Sequence, residues 1–211
     1  MDFIKEPMAI ENRSMELIAP HLAELGLDEA ATKVYSRLIH ASGDVGYAPI
    51  IRVHPEAIAV AMDALRKGAH IYTDVEMVRT GINKKKLASF GGEVHCLVAD
   101  PDVAVRAKQE GITRSMIAMR QFGKDLNGSI VAIGNAPTAL FEVLRMVREE
   151  GIRPACIVGI PVGFVGAAES KAELAANGIV PYITVEGTKG GSPIAAAAVN
   201  AMMYLIDNTR P

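Results

Sequence analysis

With 211 residues, half of them hydrophobic, the chain is long enough to bury a full core in one domain spanning 1–211. A formal charge of −2, without a lysine or arginine stripe, argues against nucleic acid as a partner. Aromatic residues make up 5%, tryptophan is absent, and Ala, Val, Ile and Gly are abundant, which is the composition of an α/β protein with a buried sheet.

Over residues 7–25 the apolar positions Ile10, Met15, Leu17, Ile18, Leu22 and Leu25 recur at helical spacing; Pro7 suits the start, and Pro20 is expected to kink or interrupt the helix. Asp28 reads as the N-cap of a second helix that carries Val34, Leu38 and Ile39 on one face and stops at Gly43. A short extended segment over 50–53 precedes a helix opened by Pro55 and ended by Gly68. Strands are then expected over 70–75, 93–99, 129–134, 155–160 and 181–186, with helices over 101–110, 113–126, 136–150, 168–177 and 192–206. This alternation predicts a single-domain α/β fold: a doubly wound, mostly parallel sheet of about five strands, helices on both faces, and an N-terminal helical segment.

No apolar run approaches the length of a membrane span, and the opening residues from Met1 to Pro7 show no basic region followed by an apolar core, so a soluble cytoplasmic protein is expected. Cys96 and Cys156 fall in separate apolar runs without CxxC spacing, which fits small buried hydrophobes rather than a zinc site or disulfide framework. No set of metal ligands is assigned.

Chemistry concentrates in Arg37-Leu-Ile-His-Ala-Ser-Gly-Asp44. Arg37 and His40 are spaced i, i+3, so they share a helix face. His40 falls in the last turn before Gly43, where the partial negative end of the helix favours imidazolium and hence a proton donor. The competing reading is a capping or packing histidine.

In a doubly wound sheet, ligands bind beyond the carboxyl ends of the strands. Asp74 ends the 70–75 strand. Gly134-Asn-Ala-Pro-Thr138 follows another, with Asn135 placed to cap the next helix and backbone N–H groups placed to receive a carboxylate or phosphate. Gly159 to Gly166 fails the dinucleotide spacing, and Gly187-Thr-Lys-Gly-Gly-Ser192 matches a phosphate loop in composition alone; a glycine-rich turn explains it equally well. Arg79, Lys84, Lys85, Lys86, Arg114, Arg120, Lys171 and Lys189 lie near these loops, and arginines there would suit a polycarboxylate ligand.

The chain resembles the precorrin-8X methylmutase family, including its cobalt-precorrin-8 form, over nearly its whole length. The resemblance rests on the Arg37 to Asp44 stretch, Thr73-Asp-Val75 with Thr80-Gly81, Thr113-Arg-Ser115, Gly134-Asn-Ala-Pro-Thr-Ala-Leu140, Pro161-Val-Gly-Phe-Val165 with Glu169-Ser-Lys171, and Lys189-Gly-Gly-Ser192 leading to Asn200-Ala201. It implies an isomerase that moves a methyl group from C-11 to C-12 of a tetrapyrrole, giving hydrogenobyrinic acid or its cobalt counterpart, cobyrinic acid. It further implies a homodimer with sites near the subunit interface and no cofactor, any cobalt being part of the substrate. His40 takes the place of the family's proton donor. Ser14 and Arg37, with Thr80 and Arg114, match ligand-contacting positions, and Asn135 and Lys189 join them as substrate-binding candidates. A non-catalytic tetrapyrrole carrier remains the alternative, and a phosphate- or nucleotide-binding enzyme is disfavoured by the failed loop spacings.

Overall fold

In the computed structural model, which describes residues 3–207, the chain opens with two helices, α1 (Pro7–Leu22) and α2 (Glu29–Ser42). Met1 and Asp2, where the leader reading began, lie outside the described residues. Glu6 caps α1 through the Met8 and Ala9 N–H groups, and Asp28 caps α2 through Ala31. Pro20 does not break α1, which runs on to Leu22; its ring leaves the Glu16 carbonyl without its intrahelical donor, a single bond lost close to the helix end. Gly43, at φ 65°, closes α2 by donating to the Ile39 and His40 carbonyls.

A 3-10 turn over Val45–Ile50 leads into β1 (Ile51–Val53) and α3 (Ala57–Arg66). Next come β2 (Ile71–Thr73), α4 (Glu76–Gly81), α5 (Lys84–Ser89) and β3 (Val94–Cys96). The two short helices fill the stretch between the expected 70–75 and 93–99 strands, for which the sequence suggested no element; six residues are too few to display a helical period. α6 (Pro101–Glu110) and α7 (Arg114–Phe122) follow, and the expected 113–126 helix divides where Gly123 takes a positive φ and a 3-10 turn over Gly123–Leu126 begins. The chain closes with β4 (Ile130–Ile133), α8 (Pro137–Glu149), β5 (Cys156–Gly159), α9 (Ala167–Ala176), β6 (Tyr182–Val185) and α10 (Ser192–Ile206).

The sheet has six strands in the order β1-β6-β5-β4-β2-β3. The five expected strands pair in parallel, and the sixth is the short extended segment, added antiparallel to β6 with Ile51 opposite Val185. Alternation along the strands feeds two cores. Ile71, Ile130, Ala132, Cys156, Val158, Ile183 and Val185 face α2, α3 and α10, while Tyr72, Val131, Ile133 and Ile157 face α7 and α8, so both faces are covered. Completely buried residues such as Ile130 and Val131 leave no polar face on β4, as a central parallel strand requires.

Candidate active site

Strand order reverses at β2, whose neighbours β3 and β4 lie on opposite sides, so the place where doubly wound sheets receive ligands falls between the carboxyl ends of β2 and β4. There Asp74, fully buried, accepts hydrogen bonds from Gly134 N–H at 3.0 Å, Asn135 N–H at 2.9 Å and Ala136 N–H at 2.7 Å. Burial pushes its pKa up, against the pull of these three donors, which favour the anion. The expectation that these N–H groups receive a substrate carboxylate is therefore corrected: the chain supplies its own. Asn135 does not cap α8 either; Ala136 holds the N-cap position without a side-chain bond. What Asn135 presents outward is its exposed side chain. A Cβ on Gly134 would stand 2.7 Å from Ser192 Cα, so the loop also abuts the start of α10.

The antiparallel β1 brings the end of α2 to this same end of the sheet. His40 lies in the last turn of α2 and is exposed, its imidazole without a hydrogen-bond partner among the described residues. One turn earlier Arg37 is mostly buried and donates to Glu11 of α1 at 2.7 Å. Ser14, one turn after Glu11, is half-buried and donates to the Ile10 carbonyl at 2.8 Å. Ser14, Arg37 and His40 thus occupy the α1–α2 pair, with Arg37 already held by an internal carboxylate.

Beyond Gly43, Asp44 binds Gly46 N–H at 2.7 Å and Lys189 Nζ at 2.5 Å. Both contacts lower the Asp44 pKa, the lysine bond most. Lys189 also lies 5.3 Å from the Tyr47 ring. The loop bearing Lys189 is zipped to the one after β5: Gly191 N–H donates to Ile160 O at 2.9 Å and Gly163 N–H to Thr188 O at 3.1 Å. A Cβ on Gly190, at φ 153°, would come within 2.6 Å of Ile160 O, so glycine here serves close backbone approach rather than a phosphate cradle. Lys171, only 1% exposed, donates to the Lys189 carbonyl, and burial lowers its pKa to about 8. A cavity of about 600 Å³ bordered by Lys171, Thr184 and Gly187 flanks this loop; another of similar volume, lined by Tyr35, Val53 and His54, lies at the opposite end of β1.

Thr80 is exposed on α4 and bonds the Glu76 carbonyl at 2.8 Å; the adjoining Gly81 packs against α10 and is braced by Asn200. Arg114 is exposed at the first position of α7, beside Thr113, whose hydroxyl lies 2.9 Å from that of Thr138 on α8. Arg114 and Asn135 therefore flank neighbouring helix starts, whereas Ser14 stands apart on α1. Several other cations have internal partners: Arg79 pairs with Glu76, Lys86 with Asp207, and Arg120 with Glu142. Around the rim Val45, Met77, Val162, Phe164 and Val165 are exposed, Phe164 by 93%.

Comparison with known proteins decides what this geometry belongs to. A family model described as precorrin-8X methylmutase matches residues 9–205. The chain belongs to the precorrin-8X methylmutase family. As a member, it is an isomerase. It is 41% identical to a cobalt-precorrin-8 methylmutase of Priestia megaterium, covering 96% of this chain and 90% of that protein. Against a precorrin-8X methylmutase of Pseudomonas aeruginosa, identity is 42%, covering 96% and 97% respectively. A solved structure of precorrin-8x methyl mutase from Thermus thermophilus aligns with a TM-score of 0.86 at 36% identity, covering 96% of this chain and 97% of that one. Against this family background, the residues that sequence reasoning underused are Asp74, Lys171 and Asn200. Their signal was their presence in the family-like segments, but the bonds they make depend on pairings across the fold.

Proposed function

We propose that this chain moves the C-11 methyl group of precorrin-8X, or of its cobalt-containing counterpart, to C-12, with His40 donating the proton that sets the ring up for the shift. The reading rests on the family match together with the place of His40: an exposed imidazole at the end of α2, on the side of the sheet where the loops after β4, β5 and β6 converge. The C-11 to methyl bond breaks as the C-12 to methyl bond forms, in a [1,5]-sigmatropic step on a tautomerised ring. Because the methyl group never leaves the substrate, and the ring gives up one proton for the one His40 donates, the isomerisation balances with no methyl donor and no redox cofactor; any cobalt belongs to the substrate. The products are hydrogenobyrinic acid or cobyrinic acid.

The acetate and propionate arms of the tetrapyrrole find cationic and polar partners at Lys189, Arg114, Asn135 and Thr80, with Ser14 and Arg37 holding the α1–α2 side. Lys189 is suited to exchange, because its tie to Asp44 is half-exposed and such pairs swap partners at little cost. Arg37 must release Glu11, or share it, to reach a ligand. The exposed Phe164 and Val165 suit an apolar macrocycle face or a second protomer closing over it, which supports a homodimer of one-domain subunits. No helix among the described residues is long and apolar enough to cross a membrane, in keeping with a cytoplasmic biosynthetic enzyme.

A turnover assay tests the proposal. Conversion of the yellow precorrin to the orange-pink corrin should be lost in His40→Ala by about two to four powers of ten, with pigment binding retained. Near-normal turnover in that variant removes His40 from the chemistry, and tight pigment binding without conversion by the wild type favours a carrier. Arg37→Ala should weaken binding without removing conversion; unchanged affinity would make Arg37 a purely structural partner of Glu11. Metal-free and cobalt substrates run side by side identify the physiological one.

A further inference from the structure

We propose that His70, Glu93 and His95 form a binding site for one divalent transition-metal ion of the zinc type, separate from the face that carries His40. One ligand atom from each residue lies within 4.8 Å of the other two, and His95 Nε2 stands 3.0 Å from His70 Nδ1. Two imidazole nitrogens bound to one tetrahedral ion at about 2.0–2.1 Å are roughly 3.3 Å apart. The rings need to separate by only a few tenths of an ångström to admit the ion in place of their shared proton.

The parallel pairing of β2 with β3 brings these residues together. His70 immediately precedes β2 and Glu93 immediately precedes β3; Ile71 N–H donates to the Glu93 carbonyl at 2.8 Å, and Tyr72 sits opposite His95 in the parallel register. Strand alternation then sends His70, Tyr72, Glu93 and His95 to one face. His95 stacks on Tyr72 at 5.0 Å and 23°, and Tyr72 meets Phe122 edge-on at 4.7 Å, so the inner imidazole is oriented by the core. His70 and Glu93 are exposed, which gives an ion a path in.

Electrostatics suit a cation. Burial, and then the neighbouring His70, lower the His95 pKa, while the carboxylates of Glu93 and Asp125 act the other way and place negative charge beside the ring. Two histidines and a carboxylate, with the fourth position left to water, make a donor set of borderline softness that suits zinc better than magnesium or calcium. Because β3 is the edge strand, an ion held here would fasten it to β2. His70 and Glu93 flank the amino ends of these strands and His95 is the middle residue of β3, whereas the methylmutase face is built at the carboxyl ends.

The test is calorimetric titration of the full chain, carrying no histidine tag, with Zn²⁺ at neutral pH. One ion per chain should bind, and His70→Ala and His95→Ala should each weaken binding by at least about tenfold, with a smaller loss in Glu93→Gln. Co²⁺ bound in the same site should give the intense visible bands of tetrahedral coordination. Circular dichroism checks folding, and should His95→Ala fail to fold, the exposed variants His70→Ala and Glu93→Gln decide. Absence of stoichiometric binding overturns the proposal, as does equal affinity in wild type and His70→Ala. Turnover in zinc-free buffer should be unchanged in Glu93→Gln, and a loss there would contradict the separation of the two sites.

Discussion

The loops after β4 and β6 are both glycine-bearing turns into a helix, yet they are closed in opposite ways. The first is held from within: Asp74, itself fully buried, takes the N–H groups of Gly134, Asn135 and Ala136. The second is held along its backbone by the 160–163 segment and by buried Lys171 at the Lys189 carbonyl, while its outward side chain has only the half-exposed tie between Asp44 and Lys189. Opening the first would strand buried donors and a carboxylate, at a cost of several kcal/mol. Opening the Asp44–Lys189 tie exposes charges that water and a ligand carboxylate solvate well. The crevice floor is therefore fixed, and the rim beside His40 is the part free to adjust to a substrate.

The largest effect should come from disturbing the fixed loop. Asp74→Asn replaces one accepting oxygen with an amide that points hydrogens at backbone donors, leaving at least one buried N–H unpaired. We expect a loss of about 2–4 kcal/mol in unfolding free energy by denaturant titration. Turnover should fall with it, since Asn135 and the start of α8 lose their anchor. A variant as stable as wild type would mean that the three N–H groups find other partners and that the floor is not fixed.

The contrast between the loops marks how far the sequence could be read. Local features were legible: Asp28 and Gly43 bound α2 as their chemistry demands, and the buried runs around Ile130 and Ile157 became central parallel strands. α4 and α5 were not, being too short to show a period, and β1 showed only as an extended segment because three residues do not announce a partner strand. His40 could be singled out for the proposed role because its helix position and its family segment are both local. The occupant of the Gly134 loop was missed because Asp74 lies 60 residues earlier. His70 and His95 become neighbours only when β2 and β3 pair in register, and no spacing along the chain encodes that.

Between the two loops in expected effect stands Lys171, which braces the rim from below. A buried lysine with its pKa lowered to about 8, against 10.5 ordinarily, is less protonated in the folded chain than in the unfolded one between those values. Wild type should therefore gain stability relative to Lys171→Met as pH rises from about 8 toward 10, approaching about 1 kcal/mol per pH unit. Below pH 8 both states carry the proton and the difference should be flat. Thiols and phenols that titrate in this range are common to both proteins and cancel in the comparison. A flat difference throughout would show that Lys171 reaches water and holds its ordinary pKa.

The smallest stability effect belongs to the rim tie. Asp44 has its pKa lowered by Lys189 and by Gly46, so its contribution is present above the ordinary value of 3.8 and is lost as pH falls through the lower folded value. Asp44→Asn should lose little stability at neutral pH, and that little should shrink further at high salt, because the pair is solvent-screened. Its effect on binding should run the other way: with the competing carboxylate gone, Lys189 is left for the substrate's arms, and KM should fall while kcat changes little. A raised KM in Asp44→Asn would instead make the tie a positioning contact, holding Lys189 where the ligand needs it, and would extend the fixed part of the crevice from Asp74 out to the rim.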